Sequence, residues 1–136
     1  MPFDDDLVLQ DGSSDYAITE NKSPTSLTAH EGSVCLDIRG TRKRGLVAHL
    51  MVGSDLPDTN DTMQVTIEHC ATVDGTYEEI ARFSLLTYGD ESAPCHQQML
   101  FATPFDFIRA KIVIHDDAGA DFSLSDVWVL IGLVIY

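Results

Sequence analysis

Positive charge is what this chain has least of. Eight Lys and Arg stand against 22 Asp and Glu in 136 residues, a formal net charge of −14. Nucleic-acid binding needs a basic footprint to neutralise phosphates, and an anionic membrane surface asks for the same, so neither is expected as a partner. Such a charge favours solubility, or a basic protein partner. Cysteine is sparse as well. Cys35, Cys70 and Cys95 are odd in number and have no C-x2-C spacing, which argues against a disulfide framework and makes reduced thiols the expectation. Long apolar runs are also missing. The longest, residues 127–135, falls well short of the about 20 residues of a membrane helix. The opening MPFDDDLVL is acidic where a secretory signal is positive, so the chain is expected to be made inside a cell. Finally, no stretch longer than about two turns combines helical apolar spacing with caps.

What is present is the period of β-strands. Hydrophobic residues make up 44% of the chain, an ordinary globular share, and the length suits one domain. In residues 63–83, MQVTIEHCATVDGTYEEIARF, Met63, Val65, Ile67 and His69 alternate with Gln64, Thr66 and Glu68. That is a half-buried strand, and Asp74-Gly75 turns it into a return strand anchored by Ile80 and Phe83. Residues 34–38 alternate too. In residues 46–52 both faces are apolar, which predicts a central strand. Residues 98–102, 107–115 and 122–136 complete the set, with Trp128 expected in the core. Residues 53–62 and 87–97 are rich in turn formers and read as loops. Seven or eight short strands separated by turns predict an all-β fold, an antiparallel β-sandwich or jelly-roll.

Residues 1–33 differ in composition. They are rich in Asp, Ser, Thr and Gly, with apolar islands at Leu7, Val8 and Leu9 and at Tyr16, Ala17 and Ile18. They are read as an extended N-terminal arm, followed by a β-sandwich domain over residues 34–136. The islands need a surface to lie on, either the chain's own sheet or another subunit.

Chemistry-bearing motifs are few. His69-Cys70 and Cys95-His96 are adjacent pairs, but neighbours on a strand point to opposite faces, so each pair offers a metal one ligand at most. Asp55, Asp58 and Asp61 share one loop, and Asp116, Asp117 and Asp121 another, without the spacing of a calcium-binding loop. There is no G-x-S-x-G elbow, no phosphate-binding loop and no dinucleotide fingerprint. The expectation is a protein that is not an enzyme, with no catalytic residue, cofactor or metal. Tyr16, Tyr77 and Tyr88 are the candidates for a sugar-binding platform. Arg39, Arg42, Lys43 and Arg44 gather half of the basic residues into six positions. They suit an acidic partner surface, or a solvated loop that offsets nearby aspartates.

Three stretches together resemble a known class. They are DDDLVLQDGSSDYAIT, VCLDIRGTRKRGLVAHLMV and MQVTIEHCATVDGTYEEIARF. The order of an LVLQDG arm, an LDI-then-Gly strand and a strand leading into DGTYEEIA-x-F is similar to small virion proteins of tailed bacteriophages. It looks most like the decoration, or cement, proteins of the capsid. Thr72-Val73 stand where related patterns often carry Ser-Asn or Ser-Asp. The resemblance implies a non-enzymatic subunit bound to the major capsid protein on the outside of the shell, assembled as a homo-oligomer, with a trimer favoured. It implies synthesis in the host cytoplasm and residence in the virion. Partner contacts are expected at Leu7, Val8, Leu9, Tyr16 and Ile18 of the arm and at Arg39, Arg42, Lys43 and Arg44. The alternative is a tail- or fibre-associated sandwich module that binds a host surface glycan.

Overall fold

The computed structural model describes residues 7–13, 16–39, 45–89, 95–116 and 122–133. They form strands β1 (Val8–Gln10), β2 (Leu36–Asp37), β3 (Leu46–Val52), β4 (Thr62–Cys70), β5 (Glu78–Arg82), β6 (Leu86–Thr87), β7 (Cys95–Phe101), β8 (Phe107–His115) and β9 (Val127–Leu133). The fold is all-β, two antiparallel sheets packed as a sandwich. The front sheet has the order β1-β9-β3-β7. The back sheet has the order β2-β8-β4-β5, with β6 also paired to β4.

The alternation in the sequence decides which side chains fill the space between the sheets. Leu46, Ala48, Leu50 and Val52 of β3 point inward, as do Val127, Val129 and Ile131 of β9. Met63, Val65 and Ile67 of β4 and Ile108, Ala110 and Ile112 of β8 meet them from the back sheet. Each large aliphatic side chain buried this way contributes about 1.5–3 kcal/mol. As the apolar faces of residues 46–52 predict, β3 is central, held by β9 on one side and β7 on the other.

The segment 62–82 folds as the expected strand pair, with one irregularity. Ile67 pairs with Ala81 but Glu68 with Glu79, so Ile80 is the extra residue of a bulge. In the turn, the Gly75 N–H donates to the Thr72 carbonyl at 3.3 Å. A Cβ on Gly75 would meet Thr72 Oγ1 at 2.4 Å and Cys70 Sγ at 2.6 Å. Close approach, and not a positive φ, is what requires glycine there.

Four expectations need correction. The strand expected over residues 122–136 starts only at Val127. Residues 95–97 belong to strand β7 and not to a loop. The strand expected over residues 34–38 is reduced to the two residues of β2. Trp128 is not in the core: it lies half-buried on the outer side of the front sheet, where Gly12 sits against its ring. A Cβ at position 12 would come within 2.4 Å of the indole.

Candidate interaction surfaces

The arm is built into the sandwich, pairing with it and adding side chains to its core. Leu9 and Ile18 are both 0% exposed and belong to the main core. As partner contacts these two are corrected, since full burial leaves them no surface to offer. Ile18 exchanges backbone hydrogen bonds with Leu124, and Lys22 does so with Ile112 along the edge of β8. The chain then reverses in a two-residue turn, His30 and Ser33 exchanging both hydrogen bonds while Glu31 and Gly32 take φ of 50° and 82°. Leu7, Val8 and Tyr16 stay half-buried. Val8 and Tyr16 line an open groove of about 350 Å³ together with Leu27, Val34 and Leu36. The groove lies where β1 meets the segment leading into β2, joined there by the Asp11 N–H donating to the Gly32 carbonyl and the Val34 N–H to the Leu9 carbonyl. Leu27 is about half exposed at its rim.

Of the basic cluster, Arg42, Lys43 and Arg44 lie outside the described residues. Arg39 is exposed, and its Nε donates to both carboxylate oxygens of Asp37 at 3.0 and 2.9 Å. Its guanidinium also stands 5.7 Å from the centre of the Phe107 ring.

The outer face of the back sheet is charged and partly roofed by the arm. Arg109 donates through Nε to Glu68 Oε1 at 2.8 Å and through Nη1 to the Pro24 carbonyl at 3.1 Å. Its guanidinium lies 4.1 Å from the centre of the Tyr77 ring. Tyr77 donates to the Val73 carbonyl at 2.8 Å and to Cys35 Sγ at 3.4 Å. Cys35 in turn donates to the Pro24 carbonyl at 3.0 Å. Burial first, then the Cys35 contact, holds the Tyr77 phenol well above its ordinary range. Burial likewise pushes the Cys35 thiol up, against the lowering influence of Tyr77 and Arg109. Both shifts favour the protonated forms that make these hydrogen bonds. Buried in this way, Tyr77 is not an exposed sugar platform. Tyr88 is exposed and Tyr16 is half-buried.

The outer face of the front sheet has the opposite character. The register puts Val47, His49 and Met51 of β3 beside Leu100, Gln98 and His96 of β7. On the other side they meet Gly132, Leu130 and Trp128 of β9. None of these residues is Asp, Glu, Lys or Arg. His49 Nδ1 and His96 Nε2 are 2.9 Å apart, a hydrogen bond between two imidazoles. Burial, and secondarily His96, lowers the His49 pKa. Leu100 is 71% exposed.

Among the described residues, no three His, Cys, Asp or Glu side chains converge to hold a metal ion. In the loop before β4, Asp55 accepts from the Leu56 and Gly89 N–H groups, and Asp58 from the Thr59 N–H. His69 Nδ1 meets Thr103 Oγ1 at 2.7 Å, and the Phe105 N–H donates to that hydroxyl. The pairing of His49 with His96 cannot be read from the sequence because it joins strands 47 residues apart.

Comparison with protein-family models, curated proteins and solved structures gives no match to this chain.

Proposed function

We propose that the protein is a non-enzymatic virion structural protein, a decoration protein that binds the outside of a major capsid shell and stabilises it. Support comes from the three stretches that resemble such proteins, and from where two of them lie in the fold. The LVLQDG arm and the segment that carries Leu36 together form the groove. The single observation that carries the reading is this open groove, whose lining combines the apolar side chains of Val8, Leu27, Val34 and Leu36 with Tyr16 and Asp11, on a strongly acidic chain. A shell offers many copies of one site, so a modest contact in each groove adds up over the particle. The arm is fastened at Leu9 and Ile18, so pull on the groove is passed to both sheets.

The test is uptake. Recombinant protein mixed with particles stripped of it should return to the shell and raise the temperature at which the shell opens. Replacing Leu27 by Asp should weaken uptake at least tenfold while the melting of the free protein stays unchanged. Particles that take up none of the wild-type protein overturn the proposal.

A further inference from the structure

The edges of the two sheets are not treated alike. A sheet edge presents unpaired N–H and C=O groups, a template on which another strand can form. Proteins blunt such edges by keeping them short, bulged, charged or interrupted by proline. Here β1 is three residues long and its register with β9 shifts. Strand β2 is two residues long. Strand β5 borders the bulge and carries Glu78, Glu79 and Arg82. Strand β7 has none of these protections. It is seven residues long, pairs with β3 in unbroken register, and contains neither charge nor proline. Among the described residues, no strand or bridge pairs along its other edge.

The surface beside this edge is also the uncharged one. Leu100 projects from it, with Val47 and Met51 half-buried alongside. Charge decides what fits there. A basic partner would be drawn to the acidic surface that covers the rest of a −14 molecule. Two copies of the chain repel each other over that same surface and meet with least repulsion where no charge lies. A strand edge is moreover self-complementary in antiparallel pairing, which is the condition for an isologous contact.

We propose that β7 pairs antiparallel with β7 of a second copy about a two-fold axis, joining their front sheets into one continuous sheet. Full overlap of the two strands sets Gln98 beside its own counterpart at the axis and His96 across from Leu100 of the second copy. The product is a dimer and not the trimer that the resemblance favours. It uses a different side of the molecule from the groove, so it stands or falls separately from the capsid reading.

The experiment uses the full chain in solution. Light scattering should give twice the chain mass, and hydrogen exchange should protect the β7 amides about as well as those of central β3. Gln98→Glu places charge at the axis and Leu100→Lys places it two residues away along the same seam, both on exposed positions. Each should raise the dimer dissociation constant at least tenfold, with circular dichroism unchanged. A monomer, a trimer, or a dimer whose β7 amides exchange as fast as an exposed loop overturns the proposal. The exchange measurement is made on the unaltered chain, so its outcome does not depend on how the variants fold.

Discussion

Arg109 shows how much one side chain can hold together. It joins Glu68 on the neighbouring strand, the Pro24 carbonyl of the arm and the Tyr77 ring, with only 12% of its side chain exposed. Removing one member of a buried ion pair strands the other, so Arg109→Ala or Glu68→Ala should cost about 3–5 kcal/mol in urea unfolding. Replacing both with apolar residues, Arg109→Met with Glu68→Leu, should cost less than either single change, since no charge is left unpaired. Strand alternation puts Glu68 and Arg109 on outward faces, but their meeting is not readable in the sequence, because it depends on which strands are neighbours. The histidines give a second prediction at this scale. Burial lowers the pKa of both His49 and His69 below the ordinary 6.5 in the folded chain. The unfolded chain therefore binds protons first. The stability from these two groups is complete above pH 6.5 and is lost as pH falls through their folded values. The melting temperature should drop on acidification from pH 7 toward 5, and His49→Gln with His69→Gln should flatten that slope. An unchanged slope in the double variant would locate the proton uptake elsewhere.

Among elements, the long strands are legible in the sequence and the short ones are not. Strands β3, β4, β8 and β9 each run seven or nine residues, enough for the two-residue period to show which side chains face inward. Strands β1, β2 and β6 have two or three residues, too few to display any period. The start of β7 reads as loop because Cys95, His96 and Gln97 directly follow the breakers Gly89-Asp90 and Pro94. The arm shows the same limit in another form. Its composition sets it apart from residues 34–136, and three-residue apolar islands cannot say what they lie on. The fold answers that they lie on the chain's own sheets, so the arm has a structural duty as well as any external one. Ile18→Ala should accordingly cost about 2–5 kcal/mol, the range for truncating a buried aliphatic side chain. Deleting residues 1–33 should give a product without cooperative urea unfolding or near-ultraviolet dichroism. A deletion product that melts cooperatively would mean that the sandwich closes without Leu9 and Ile18.

Taken whole, the molecule is a sandwich with two unlike outer faces. The back face is an ionic surface braced by Glu68, Arg109 and the arm, while the front face carries no charged side chain on β3, β7 or β9. That division turns net charge into a constraint on assembly. Copies carrying −14 each repel through solvent at a range set by ionic strength, about 30 Å at 0.01 M salt and about 8 Å at 0.15 M. Contact through the β7 edge, beside the front face, makes no salt bridge of its own, so salt can weaken the repulsion without weakening the contact. Self-association should therefore tighten as sodium chloride rises from about 0.01 to 0.15 M, measured by sedimentation equilibrium at constant pH. An interface built on ion pairs, such as one between the acidic face and the basic segment around Arg39, would loosen over the same range. The sign of the salt dependence thus tells which face carries the contact. A dissociation constant that increases with salt would rule out the β7 edge as the seam.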